Sequence, residues 1–160
     1  MAVILVDFDG TVRKETPHGY FSKDDIGSEA VLKELISKGH KIVLWTCRNT
    51  SKDNPYNYNL SGSPREETSL DEAVRWFEER GIELYGINEV PGQLERIGKS
   101  RKLLGDLLID DKVLGVPLKE EPTDLYRVED DKLVIRKNKY VSEFVDWDKV
   151  RDMLVEKGLL

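Results

Sequence analysis

The run Val3-Ile4-Leu5-Val6 ends on Asp7-Phe8-Asp9-Gly10-Thr11. Four consecutive apolar residues, rich in Val and Ile, predict a short buried strand. Two aspartates do not belong inside such a strand, so they stand where it stops. Side chains alternate along a strand, which predicts that Asp7 and Asp9 leave on the same side. In open α/β sheets the carboxyl ends of the strands form the ligand crevice. Two carboxylates at that rim repel each other unless a cation or a shared proton intervenes.

The rest of the chain repeats the pattern. A polar, irregular segment from Val12 to about Ile26 leads to Ser28, read as an N-cap. Val31, Leu32, Leu35 and Ile36 follow at helical spacing, and Gly39 closes the helix. Ile42-Val43-Leu44-Trp45 is a second buried strand, ending at Thr46-Cys47-Arg48. Strand, helix and strand in this order predict a parallel pair. Residues 49–67 are rich in Asn, Ser, Pro and Gly and read as a long loop on the carboxyl side. Ser69 with Glu72 reads as a capping box for a helix carrying Ala73, Val74, Trp76 and Phe77 and ending at Gly81. Ile82–Ile87 is the third strand. A short basic helix is expected around Lys99–Leu104, and Asp106–Ile109 is the fourth strand, ending at Asp110-Asp111. Beyond Pro117, a hairpin is expected over Leu125–Arg136 around Asp130-Asp131. Asp146 caps a last helix bearing Val150, Met153, Leu154 and Leu160.

At 160 residues the chain is sized for one domain, with a core over about residues 1–116 and an accessory C-terminal extension over about 117–160. A net charge of -6 argues against a broad nucleic-acid or anionic-membrane footprint. No run approaches the roughly 20 apolar residues of a membrane helix. One cysteine, Cys47, fits a reducing compartment. Asp7 interrupts the first apolar run and no basic segment precedes it, so the reading is a cytoplasmic protein with no membrane partner.

Three strands thus end in polar residues: Asp7/Asp9, Thr46 and Asp110/Asp111, with Lys102 eight positions before Asp110. A parallel sheet brings such ends to one edge. Hard carboxylate oxygens with few other protein ligands suit Mg²⁺, and a hydroxyl and an ammonium beside them suit phosphate.

These motifs resemble the haloacid dehalogenase (HAD) superfamily of aspartate-nucleophile phosphohydrolases. Asp7-Phe8-Asp9-Gly10-Thr11 is similar to its DxDGT motif, Thr46 to the second-strand Thr/Ser, Lys102 to the Lys of the third motif and Asp110-Asp111 to the final acidic pair. The order and spacing agree over about residues 1–116. The resemblance implies a Rossmann-like α/β fold, a parallel sheet sandwiched by helices. It implies a Mg²⁺-dependent phosphomonoester hydrolase. Asp7 would attack phosphorus, forming an aspartyl-phosphate. Asp9 would be the acid and base. Asp7, Asp9 through its backbone carbonyl, and Asp110 would hold Mg²⁺, with Asp111 either a ligand or just behind. Thr46 and Lys102 would bind phosphoryl oxygens. Lys99 is the rival of Lys102.

Neither gap between motifs has room for the family's cap domain, so the chain resembles a capless member with a small C-terminal hairpin and helix. An open site suits large substrates, unless the 49–67 loop or a neighbouring subunit of a homo-oligomer serves as lid. Arg48, Lys52 and Arg65 are candidates to meet a phosphorylated substrate, whether small metabolite, nucleotide or nucleic-acid end. Two other readings stand beside this one: a receiver-like module that accepts phosphate on Asp, and a catalytically silent binding protein of the same fold. His18 and His40 read as surface residues, having no metal-ligand partner at useful spacing. Cys47 reads as a small buried hydrophobe, and Trp45, Trp76 and Phe77 as core.

Overall fold

The computed structural model describes residues 1–17, 20–51, 67–130 and 132–160. Its first strand, β1 (Val3–Val6), lies at the centre of the sheet because nearly every side chain on it is apolar and buried. The chain continues through α1 (Ser28–Ser37), β2 (Lys41–Leu44), α2 (Ser69–Glu79), β3 (Leu84–Ile87), α3 (Gln93–Ile97) and β4 (Leu107–Ile109). The four strands are all parallel in the order β3-β2-β1-β4. This is the expected Rossmann-like α/β arrangement. The parallel pairing puts the ends of β1, β2 and β4 on one rim, in the register Val6 with Leu44 and Ile109.

The two faces are covered unequally. Ile4, Val6 and Phe8 point into the main core with Val31, Leu32 and Leu35 of α1, Ala73 and Phe77 of α2, and Ile42 and Leu44 of β2. Burying each such side chain is worth about 1.5–3 kcal/mol, so this face supplies most of the stability. Leu5 and Val43, on the other side of the pleat, form among the described residues a small cluster with buried Val90, with Val3, Trp45 and Leu103 at the margin. Phe77 is fully buried, whereas Trp45 and Trp76 are half-buried at the core's edges.

Several local readings shift. The cap of α1 is Gly27, and Ser28 is its first residue; the buried Ser28 hydroxyl donates to the Val12 carbonyl at 2.6 Å instead. The capping box of α2 is Thr68 with Asp71, one position earlier than expected, because Glu72 is drawn to two arginines. No helix forms over Lys99–Leu104. The helix of this connection is the five-residue α3, stopped by Gly98 at φ +70°. Gln93 then stands in for the missing helical bonds: its Nε2 donates to the Lys102 carbonyl at 3.0 Å and its Oε1 accepts from the Leu104 amide at 2.7 Å. The third strand starts at Leu84, not Ile82.

The C-terminal extension is larger than Leu125–Arg136. β5 (Leu118–Glu129) and β6 (Lys132–Val145) form a long antiparallel ribbon, turning at Asp130. Its base enters the main core through Phe144 and Val145. Partway along, Phe21 and Tyr126 exchange backbone hydrogen bonds at 2.9 Å and stack their rings. α4 (Trp147–Glu156) is capped by Asp146, as expected, and buries Trp147, Val150 and Leu154, while Met153 is exposed. His40 is buried, not at the surface. Its Nδ1 accepts from the Ala2 amide at 3.1 Å, which leaves Nε2 as the protonated nitrogen donating to the Leu159 carbonyl at 2.9 Å, so one neutral imidazole ties both chain ends together. Among the described residues no helix is long and apolar enough to cross a membrane.

Candidate functional site

The site grows from the point where β1 stops being a strand. The Asp7 amide still donates to the Ile109 carbonyl at 3.0 Å, holding Asp7 against the end of β4. Beyond it the chain turns: the amides of Thr11, Val12 and Arg13 all donate to the Phe8 carbonyl. Strand alternation no longer applies there, and the two aspartates turn to different partners.

Asp7 joins the acidic pair after β4. Carboxylate oxygens of Asp7, Asp110 and Asp111 lie within 4.8 Å of one another. Gly10 makes room for this. It sits at φ +74°, and a Cβ there would stand 2.6 Å from Asp111 Oδ2. The fully buried Thr11 ties the group together: its Oγ1 donates to Asp7 Oδ2 at 3.4 Å and accepts from the Asp111 amide at 3.0 Å. Asp110 Oδ1 accepts from the Lys112 amide at 2.8 Å, and the Lys112 ammonium pairs with Asp111 Oδ2. Burial first, then repulsion from Asp110, Asp9 and Asp111, outweighs a backbone hydrogen bond from Phe8 and pushes the Asp7 carboxyl from 3.8 up to about 7. A carboxyl in that position is short of positive charge. Three hard oxygens without nitrogen or sulfur suit Mg²⁺ or another oxygen-seeking divalent ion, not zinc.

Asp9 turns toward β2 and α2. Arg48 grips it with a fork, Nε to Oδ2 at 2.6 Å and Nη2 to Oδ1 at 2.8 Å, and Arg13 Nε reaches Oδ1 at 3.3 Å. Burial raises the Asp9 carboxyl, but the hydrogen bonds and charge of Arg48, then of Arg13, outweigh it and hold Asp9 below the usual carboxylate range. Its carboxylate is therefore committed to guanidinium, not to the acidic cluster.

The other predicted residues divide. Thr46 follows β2 at the same rim. Its amide donates to Asn88 Oδ1 at 2.8 Å and its Oγ1 accepts from the Arg48 amide at 3.2 Å, leaving its hydroxyl proton to be donated. Arg48 is at the rim but faces Asp9. Lys102 is exposed on the irregular segment after α3, and among the described residues no hydrogen bond or ion pair joins its ammonium to Asp7, Asp110 or Asp111. Lys99 is exposed on the same segment. Cys47 is exposed, because it lies beyond the end of β2 at Leu44, where the core has ended. Lys52, Arg65 and His18 lie outside the described residues, as does most of the proposed lid loop.

Sequence reasoning missed four residues. Arg13 and Glu72 sit beside Asp9, Asn88 props Thr46 in a left-handed conformation of φ +52°, and Trp147 Nε1 donates to the Thr11 carbonyl at 2.7 Å. The Val145 amide adds a bond to the Gly10 carbonyl at 2.9 Å. The C-terminal extension therefore holds the loop that carries the aspartates. The one sequence signal for any of these was an Asn just past a strand, a residue type that tolerates positive φ.

Fold and rim together define a Rossmann-like α/β protein with an acidic edge at the carboxyl ends of its parallel strands. Among solved structures, a conserved protein coded by a locus from Bacteroides thetaiotaomicron is similar, at 33% sequence identity and a TM-score of 0.51, over 71% of this chain and 78% of that one. The chain belongs to the family of that conserved protein. No protein-family profile matches the sequence, and no curated protein does.

Proposed function

We propose that the protein is a Mg²⁺-dependent phosphomonoester hydrolase of the HAD type, with Asp7 as nucleophile. The observation that carries this reading is the convergence of Asp7 from β1 with Asp110 and Asp111 from β4, carboxylate oxygens within 4.8 Å of each other. Asp7, Asp110 and Asp111 would hold the ion, which would supply positive charge to the acidic rim and to a bound phosphate.

The chain's own residues support the remaining roles. Asp7 Oδ2 is oriented by Thr11, so the other oxygen, Oδ1, is the one to attack phosphorus. The bond to the leaving oxygen breaks as the aspartyl–phosphorus bond forms, the leaving group departing as an oxyanion that takes its proton from solvent, and water then cleaves the aspartyl-phosphate to regenerate Asp7 and release phosphate. Asp9, held ionised by Arg48 and Arg13, is in the protonation state that a general base for that water requires. The Thr46 hydroxyl retains a proton to donate to a phosphoryl oxygen. Lys102 belongs to this reading through its motif position alone. The substrate class is a phosphomonoester, and the single cysteine supports a reducing, cytoplasmic setting.

The test is hydrolysis of a generic aryl phosphate with Mg²⁺ and with chelator, in wild type and Asp7→Asn. Activity that needs Mg²⁺ and disappears in the variant is expected. Equal rates in wild type and variant would end the nucleophile assignment.

A further inference from the structure

We propose that Glu72 is a positioning residue for Asp9, acting through Arg48 and Arg13; the proposal rests on the hydrolase reading above. A guanidinium has five N–H groups. Those of Arg48 go to Asp9 Oδ2 and Oδ1, to Glu72 Oε2 at 2.9 Å and to the Ser69 carbonyl at 3.0 Å. Four of the five are spoken for. Arg48 therefore cannot offer a fork to a phosphate without letting go of Asp9, and the phosphate-binding role suggested by its place after Thr46 does not suit this geometry.

Glu72 completes a ring. Its Oε1 accepts from Arg13 Nη1 at 3.0 Å and its Oε2 from Arg48 Nη1. Asp9 Oδ1 accepts from both arginines in turn. The order Asp9–Arg48–Glu72–Arg13 closes on itself, so each guanidinium is held between two carboxylates. The ring also rests on a fixed floor. The guanidinium carbons of Arg48 and Arg13 lie 4.7 and 4.9 Å from the ring centroid of Phe8, a residue with no exposed surface. Phe8 lies between Asp7 and Asp9 in the chain, so the floor of the ring is built from the same turn that carries both aspartates.

Three elements meet in this ring: the Asp9 turn, the segment after β2 and the first turn of α2. Among the described residues, the side-chain partners of the Glu72 carboxylate are Arg13 and Arg48, not the acidic cluster. Glu72 fixes the angle of Arg48, and Arg48 fixes the carboxylate plane of Asp9. Planar, bidentate arginine–carboxylate pairing transmits orientation in a way that a lysine ammonium does not.

The test compares wild type, Glu72→Gln and Arg48→Lys, using an aryl phosphate with Mg²⁺, inorganic phosphate as competitive inhibitor, and ¹³C-carboxyl NMR of Asp9. Both substitutions are mild, and thermal melting checks that each variant folds. Expected are a fall in kcat of about ten-fold or more, the scale at which misplacing a catalytic group acts, with KM and the inhibition by phosphate unchanged. The Asp9 carboxyl signal should shift or broaden in Glu72→Gln while that of Asp146 stays put. The double variant should be no slower than Arg48→Lys alone, since both act on one group. A rise in KM and loss of phosphate inhibition with kcat intact would overturn the proposal, because the arginines would then be substrate ligands. So would an unmoved Asp9 signal. If instead wild type and Asp7→Asn are equally active, the hydrolase reading fails, and the unmoved or moved Asp9 signal still decides whether Glu72 orders that carboxylate.

Discussion

Asp7 is the group whose replacement reports most directly on the acidic rim. In the metal-free protein its carboxyl is pushed from 3.8 to about 7, so above that pH the folded state carries a charge it accommodates poorly. The sign follows from linkage: a raised carboxyl favours the fold fully below 3.8, and that contribution is lost as pH rises through 7. At 1.36 kcal/mol per tenfold change in proton affinity, the full shift corresponds to a cost of about 4 kcal/mol. Asp7 is only half-buried, so solvent screens it, and roughly half of that figure, about 2 kcal/mol, is expected to survive. Asp7→Asn removes the charge and keeps the shape. At pH 8 with chelator the variant should therefore melt about 4–8 °C above wild type, at roughly 2–4 °C per kcal/mol for a domain of this size. At pH 5 the gap should be clearly smaller than at pH 8, because a larger share of the wild-type carboxyl is then protonated in the fold. Mg²⁺ at about a hundred times its dissociation constant should restore about 2.7 kcal/mol to wild type and much less to the variant. The assay is thermal melting by circular dichroism across pH, with and without Mg²⁺. A variant no more stable than wild type at pH 8, or a gap that ignores pH, would refute the reading that burial and neighbouring carboxylates raise the Asp7 carboxyl.

Trp147→Phe should cost about 1–3 kcal/mol by leaving the Thr11 carbonyl without its donor, and it should weaken Mg²⁺ binding several-fold in calorimetry through the Thr11 hydroxyl. Gly10→Ala, at φ +74° and facing Asp111 Oδ2, should destabilise by about 1–3 kcal/mol in denaturant unfolding and lower Mg²⁺ affinity as Asp111 is displaced. Because Arg48 and Arg13 hold Asp9 below the usual carboxylate range, it is unprotonated at neutral pH and a weak proton donor. Aryl phosphates should therefore be hydrolysed much faster than alkyl phosphates at pH 7, and a flat dependence of kcat/KM on leaving-group acidity would show that Asp9 is not held ionised during turnover.

The elements legible in the sequence were those set by local pattern. Short runs such as Ile42-Val43-Leu44 are buried whatever surrounds them, and Gly39 and Gly81 end their helices where the apolar spacing stops. The misreadings were also local, and each has a competing partner. Glu72 has the right spacing for a capping box with Ser69, but the arginines outbid the helix end for its carboxylate and Asp71 takes the box instead. Lys99–Leu104 has helix-forming residues, yet Gly98 and the side chain of Gln93 pull its backbone into another path.

By itself the sequence determined the parallel α/β fold and the meeting of Asp7 with Asp110 and Asp111, because a strand's apolar run and the acid that ends it are neighbours in the chain, and parallel pairing aligns such ends without further information. Only the tertiary structure decided the partners of Asp9, the burial of His40 and the grip of the C-terminal extension on the Gly10–Thr11 turn. Arg48 and Glu72 are 24 positions apart, and Trp147 and Thr11 are 136 apart. An arginine, a glutamate or a tryptophan in a sequence carries no mark of which distant group it will meet, since charge and hydrogen-bonding capacity acquire a direction only when packing places a partner in reach.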